Sequence, residues 1–391
     1  MSESKRSEIR NPPALDIRIG CPAAVDPNRV LPSIDLLSPL TIEGVTFRNR
    51  IAISPMCQYS AQKGVAGDWH FVHLGSRAVG GAGMVMVEAS AVLPEGRITP
   101  GDLGIWDDYH VEPLARIVRF LESQNTVPGI QLAHAGRKGS CATPFDGGAQ
   151  LAPGEQGGWP VFAPSLKPFR DTDAPPIEMS QVKIDQVIES FVLATRRALR
   201  AGFRVIELHM ANGYLLHSFL STLSNTRTDD YGGSFDNRSR MPLQVVRAVK
   251  AELPSWLPLF VRISATDWVE GGWDLEQSVS FGKALCKAGV KVIDASSGGL
   301  VPYAKIPNSK NYQVPFAATI RRESGTGTAA VGLISDPHQA NEIITSGSAD
   351  LVFIGRESLR NPYWPIHAQQ VLRGEAHWPT PYGYALEPNK G

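Results

Sequence analysis

"FRVIELH" (203–209) decides how this chain folds, because of what stands before and after it. The preceding stretch, "SQVKIDQVIESFVLATRRALRAG" (180–202), has Ser180 in the place of an N-cap. Apolar residues follow at three-and-four spacing, and Gly202 stands at the end, so the stretch predicts an amphipathic helix. "FRVIELH" itself is short and almost continuously apolar, as expected of a strand covered on both faces of a parallel sheet. A helix feeding such a strand is half of a β/α repeat.

The same strand pattern recurs along the chain. "RIAISPM" (50–56), "GMVMVEAS" (83–90), "PGIQLA" (128–133), "LPLFVRIS" (257–264), "VKVIDASS" (290–297), "AAVGLI" (329–334) and "ADLVFIG" (349–355) all read this way. Helix signals separate them. "DLEQSVSFGKALCKAG" (274–289) and "SDPHQANEIITSG" (335–347) each begin near an Asp cap and stop at Gly. Eight βα units in tandem predict an α/β fold, a closed (β/α)8 TIM barrel in a single domain with long βα loops. The competing arrangement is an open doubly wound sheet. A dinucleotide fold of that kind would want GxGxxG after its first strand, and the motif is absent.

Residues 1–36 are rich in Pro and polar groups without a period and are expected to form an extended N-terminal arm. The barrel then occupies 37–380, and 381–391 form a C-terminal tail. About forty-five residues separate the third strand from the next helix, an excursion over about 136–180 that includes "GGAQLAPGEQGGWPVFAPSLKPF". A loop of that length in a compact domain usually serves as a lid or wall. A second polar excursion, "STLSNTRTDDYGGSFDNRSR" (221–240), leaves from the same face.

Composition narrows the function. Of 391 residues 42% are hydrophobic, and Lys+Arg and Asp+Glu both number 38, for zero formal net charge. With no basic run, neither nucleic acid nor an anionic membrane is an expected partner. Cys21, Cys57, Cys141 and Cys286 are widely spaced and form no CxxC. That argues against zinc, an iron–sulfur cluster or a disulfide scaffold, and for a reducing compartment. "MSESKRSEIRNPP" lacks the apolar core of a signal peptide, and no stretch is long enough to span a bilayer, so a cytoplasmic location is expected.

In a barrel, residues that end the strands share one rim, where active sites of this fold lie. Here they include Ser54, Met56 and Cys57, then Glu88, Ala89, Gln131, His134, His209 and Asn212. Arg262, Ser296, Ser297, Gly298, Gly299, Gly332, Gly355 and Arg356 complete the set. Loops after the seventh and eighth strands of many barrels bind phosphate through backbone N–H groups, and glycines there with Arg356 suit that role. Tight turns would use glycine equally. Arg262 at the end of a buried strand needs an anionic or carbonyl partner, or a rim carboxylate.

His209 and Asn212, three residues apart, could point two donors at one oxygen and stabilise charge developing there. Tyr214 adds a weakly acidic O–H suited to giving a proton. Singly, each has a structural alternative: a backbone contact, a helix cap, a packed ring. Together at one strand end they favour chemistry. Cys57 has no His–Asp partner in sequence, and chemistry alone leaves its role open.

"ISPMCQYSA" (53–61), "GIQLAHAGRK" (129–138), "ELHMANGYLLHSFLSTLSNTRTDDYGGSFDNR" (207–238) and "ADLVFIGRESLRNPYWP" (349–365) resemble the old yellow enzyme family of FMN-dependent ene-reductases. The segment "SPMCQYS" is similar to its thermophilic-like branch, related to bacterial NADPH dehydrogenases. The resemblance runs from about Leu37 to Pro381. It implies tightly bound FMN, with NADPH or NADH as reductant and an α,β-unsaturated carbonyl compound, an enone or enal, as substrate. Ser54, Pro55, Met56 and Cys57 would lie along the flavin, with Ala89 and Gln131 on its ring and Arg262 by its N1–C2=O edge. Gly298, Gly299, Gly332, Gly355 and Arg356 would hold the phosphate.

His209 and Asn212 would bind the substrate carbonyl, Tyr59 would line the pocket, and Lys138 would fall near ring or pocket. NAD(P)H would reduce FMN, and hydride from N5 would pass to the β-carbon while Tyr214 protonates the α-carbon. Cys57 would tune the flavin and touch substrate rather than attack. The resemblance also implies a homodimer or higher homo-oligomer. Two positions depart from the branch: Asn212 stands where His is common, and Tyr384 stands about where an arginine reaches the neighbouring subunit's site. Competing readings are a dienoyl-CoA-type or other FMN barrel reductase, a flavin-free barrel lyase or aldolase, and a non-catalytic flavin redox sensor built on Cys57.

Overall fold

The computed structural model describes residues 34–385, so the expected N-terminal arm, apart from its last three residues, and the end of the C-terminal tail lie outside the described residues. Within them the predicted strands form one closed parallel barrel. In chain order these are β1 Ile51–Ile53, β2 Met84–Ala91, β3 Val127–Ala133 and β4 Val205–Met210. β5 Leu259–Ser264, β6 Val292–Ser296, β7 Gly327–Val331 and β8 Leu351–Ile354 follow, and β8 pairs back to β1.

Each strand is followed by a helix on the outer ring. These are α1 Asp68–Val79, α2 Val111–Ser123, α3 Gln181–Ala201, α4 Phe235–Glu252, α5 Leu275–Lys287, α6 Val314–Ser324, α7 Pro337–Thr345 and α8 Trp364–Arg373. The anticipated caps are in place. Ser180 accepts from the Lys183 N–H, and Gly202 ends α3 in the left-handed region at φ 95°. Asp274 and Asp336 cap α5 and α7. Side-chain acceptors satisfy helix donors that would otherwise be orphaned, so these helices start where the sequence placed them.

Two packed clusters divide the barrel. One lies between strands and helices and includes Phe191, Phe203 and Trp273. The other fills the lower lumen: Met84, Met86, Val205, Phe260, Val292, Ala329, Leu351 and Phe353, closed from below by a hairpin of Leu40–Ile42 and Val45–Phe47. Because side chains alternate along a strand, lumen residues Val205, Phe260 and Val292 fix what points inward above them. Glu207 and His209 follow on β4, Arg262 on β5 and Asp294 on β6. An apolar floor thus carries a polar upper storey.

Two local departures shape the mouth. β7 ends at Val331, before the predicted stop, because Gly332 (φ 109°) and Leu333 (φ 54°) turn out of the extended region. In β2 the pairing with β3 shifts between Val87 and Ser90. Such bulges re-aim side chains, and this one falls at Glu88 and Ala89. Among the described residues no helix is long and apolar enough to cross a membrane.

Candidate active site

β4 delivers His209 to the mouth in register with Arg262 on β5, which in turn pairs with Asp294 on β6. His209 is buried, and its Nδ1 accepts from the Ala211 N–H at 3.4 Å. Burial first, then the Arg262 charge, holds its pKa well below the ordinary value. The ring is therefore neutral, and an accepting Nδ1 leaves its proton on Nε2. His209 is a fixed N–H donor, not a base.

The chain turns sharply next. Asn212 adopts φ 57°, a left-handed conformation that asparagine tolerates better than most residues. Its N–H donates to Ser264 Oγ at 2.9 Å, and its carbonyl accepts from Lys138 Nζ at 2.8 Å. Both backbone groups are thus engaged in holding the turn. Gly213 N–H donates to His217 Nδ1 at 2.9 Å, and His217 Nε2 lies 3.1 Å from Asp267 Oδ1 in a fully buried pair. This chain of contacts ties the turn to the loop after β5.

Tyr214 follows, half-buried, its ring meeting His209 edge-on at 4.9 Å and 78°. Burial, then the neighbouring Cys57 and Tyr59, pushes its phenol well above the ordinary value, so it carries its proton at neutral pH. Lys138 Nζ stands 5.2 Å from the same ring and donates to the carbonyls of Asn212 and Gly299, at 2.8 and 2.9 Å. Burial lowers its pKa to about 8. Lys138 thus stands beside Tyr214, with its amine donating to backbone.

Beside this group opens a cavity of about 530 Å³, within the ordinary range for small-molecule sites. Ser54, Pro55, Met56, Arg262, Gly332, Gly355 and Arg356 all line it, with Lys310 and Arg360 adding positive charge. Gly298 and Gly299 do not line it. The loop after β6 folds across onto the β4 turn instead: a Cβ on Gly299 would lie 2.8 Å from Asn212 Cα, and one on Gly298 would meet Ile306. Gly299 thus allows close packing on the β4 turn, and Gly298 close packing against Ile306.

The remaining expected residues are distributed around the mouth. Ala89 lines a small adjoining cavity together with Tyr214 and Asp102. Gln131 is buried and donates to Glu207 Oε1 at 2.8 Å. Burial, then the charges of Asp102 and Glu88, raises the Cys57 thiol well above its usual range, which leaves it un-ionised. Tyr59, half-buried at φ 52°, meets Phe145 of the long excursion edge-on at 6.1 Å. Arg137 fastens that excursion near the mouth by donating to the carbonyls of Lys167, Pro168 and Leu300.

Sequence reasoning missed Ser264, Lys310, Arg360 and the pair Glu207 and Asp294. Only the last two left a signal: each is a carboxylate in the middle of an apolar strand, in "VIELH" and "VIDAS". A charge there needs a partner or a proton.

The fold agrees with comparisons to known proteins. A family model described as the NADH:flavin oxidoreductase / NADH oxidase family matches residues 35–375. An NADPH dehydrogenase of Geobacillus thermodenitrificans (strain NG80-2) is 45% identical over 349 residues, 89% of this chain and 97% of that protein. Among solved structures, morphinone reductase superposes with a TM-score of 0.73 at 25% identity, covering 90% of this chain and 92% of that one. A 2-naphthoyl-CoA reductase complex shares the fold, with TM-score 0.77 at 23% identity. This chain covers 52% of it, and 87% of this chain is aligned.

Proposed function

Because this chain belongs to the NADH:flavin oxidoreductase / NADH oxidase family, the old yellow enzyme oxidoreductases, we propose that it is an FMN-dependent ene-reductase driven by NADPH. The carrying observation is the convergence of His209, Asn212 and Tyr214 beside a cavity with cations at two places. NADPH is the reductant in this reading because the bacterial relative is named an NADPH dehydrogenase.

The residues present fit the cofactor. The cavity is large enough, Arg356, Lys310 and Arg360 offer charge for a phosphate, and Arg262 stands apart from them. The Arg262 Nε is buried without a hydrogen bond, 3.4 Å from Asp294 Oδ2, and its Nη1 donates to Ser54 Oγ at 3.2 Å. In this reading Ser54, Pro55 and Met56 lie along the ring, Ala89 and Gln131 contact it, and Arg262 faces its electron-accepting edge. Gly332 and Gly355 let backbone approach the phosphate, with Arg356 as counter-ion. FMN, when bound, supplies the capacity to accept a hydride from NADPH and pass one on.

The protein's own groups do the rest. His209 donates from Nε2, and Asn212 from its carboxamide, to the carbonyl oxygen of an α,β-unsaturated substrate. Negative charge grows on that oxygen as hydride arrives at the β-carbon, so fixed donors bind the transition state more tightly than the ground state. Tyr214 holds a proton at its hydroxyl oxygen and delivers it to the α-carbon. Lys138 acts indirectly, by keeping Asn212 in its turn. Tyr59 and Phe145 wall the substrate side. Cys57, un-ionised, serves as a neutral neighbour of ring and substrate, which speaks against a thiolate redox sensor.

The test is direct. Purified protein is expected to be yellow and to release one equivalent of FMN, not FAD, on denaturation. A colourless protein that takes up no FMN would contradict the reading.

A further inference from the structure

Under the cavity floor, two carboxylates and one guanidinium share the barrel lumen. Glu207 on β4 and Asp294 on β6 are each 0% exposed, and Arg262 on β5 stands between their strands. Gln131 on β3 donates to Glu207 Oε1, while Glu207 Oε2 has no hydrogen-bond partner. Neither oxygen of Asp294 has one either; its contact is the Arg262 Nε at 3.4 Å. His209, the next inward residue on β4, is neutral. With both acids ionised the group would hold one uncompensated negative charge away from water, and a buried charge in that position binds a proton instead.

The partners indicate which acid takes it. Asp294 has the guanidinium in contact, whereas Glu207 is in contact with a neutral amide and feels Arg262 only at longer range. Oε1 accepts from Gln131, which leaves Oε2 to carry the hydrogen.

We propose that Glu207 is a carboxylic acid in the working enzyme and acts as a positioning residue: its proton controls how much of the Arg262 charge reaches the cofactor. The inference rests on the flavin reading above. With Glu207 neutral, Arg262 answers to one carboxylate and keeps charge for the cavity. With Glu207 ionised, two carboxylates compete for it.

A proton balance follows. Reducing a bound flavin by two electrons and one proton adds one negative charge above Arg262. An ionised Glu207 then takes a further proton from solvent, so two protons accompany two electrons. A Glu207 already protonated takes none, and only one proton enters. Burial, then the charge of Asp294, raises the Glu207 pKa to about 8, while Asp294 itself is raised only to about 6. The second proton should therefore enter only above about pH 8. Lys138 titrates in the same range, so a variant must separate the two.

The experiment measures the flavin midpoint potential against pH in FMN-loaded wild type and in Glu207→Gln, which keeps the shape and a neutral amide. The wild-type slope is expected to double above about pH 8, and the variant to hold the one-proton slope throughout. Infrared spectra of FMN-free protein near neutral pH should show a carboxylic-acid carbonyl band that Glu207→Gln removes. A wild-type slope without a break, a break that survives Glu207→Gln, or no such band would overturn the proposal. If Glu207→Gln does not fold, Lys138→Arg, which stays charged throughout this range, takes its place in the potential measurement: a break that survives it supports the proposal, and one that vanishes overturns it. If the protein takes no flavin, the functional reading fails, and the band alone reports on Glu207.

Discussion

Tyr214→Phe is expected to slow reoxidation of the reduced enzyme by cyclohexenone about 10²–10⁴-fold, the range for losing a positioned general acid, while reduction by NADPH proceeds unchanged. The substitution removes one oxygen and keeps the ring, so the edge-on contact with His209 at 4.9 Å survives. What disappears is the proton. The phenol is held un-ionised by burial and by its neighbours Cys57 and Tyr59, and no other acidic O–H of comparable placement follows on the β4 turn. Stopped-flow absorbance under anaerobic conditions separates the two half-reactions. An unchanged reoxidation rate would remove Tyr214 as the proton donor. A loss shared equally by both halves would make its role structural.

His209→Ala should reduce enone turnover by about 10²–10³-fold, corresponding to about 2.7–4 kcal/mol for one oxyanion donor. FMN content should be preserved. His209 is not among the residues lining the 530 Å³ cavity, so its loss should leave the proposed cofactor site intact. The pH dependence is part of the prediction. Burial and Arg262 keep the imidazole neutral well below its usual titration range, so protonation of His209 should leave no break in activity near pH 6.5. A break there that vanishes in the variant would contradict the assigned tautomer. Equal loss of FMN and turnover would show that His209 supports the fold rather than the reaction.

The barrel was legible because each strand had to be apolar on both faces, and because helix signals were chemically explicit. Ser180 and Gly202 frame α3 as a donor-satisfying cap and a left-handed stop. The grouping of His209, Asn212 and Tyr214 was legible for the same reason: barrel closure brings the ends of distant strands together. What sequence could not show was which atoms are already engaged. Lys138 falls near ring or pocket by resemblance alone, and nothing in the sequence signals that two carbonyls from separate loops accept from its amine. The resemblance implies that Gly298 and Gly299 hold phosphate; in the structure neither lines the cavity, Gly299 lies against Asn212 and Gly298 against Ile306. Both outcomes depend on contacts between loops far apart in the chain. Glu207 and Asp294 hid within apolar strands, where only the inward register reveals that they meet.

The same contacts hold the backbone of the β4 turn. Asn212 is fixed through Ser264 and Lys138, and Gly213 through the buried His217–Asp267 pair. In the proposed reaction a donor carried on so constrained a turn would need little reorganisation as charge develops, which is what makes such a donor worth more than a solvent hydrogen bond.

The proposed function requires that a flavin held in the cavity at the ends of β7 and β8 take hydride from NADPH and give it to an enone bound by His209 and Asn212. Anaerobic titration follows that path by eye. NADPH should bleach the bound chromophore, and one equivalent of cyclohexenone should restore its colour with formation of cyclohexanone. A chromophore that NADPH bleaches but no enone restores would contradict the account, whatever else the protein reduces.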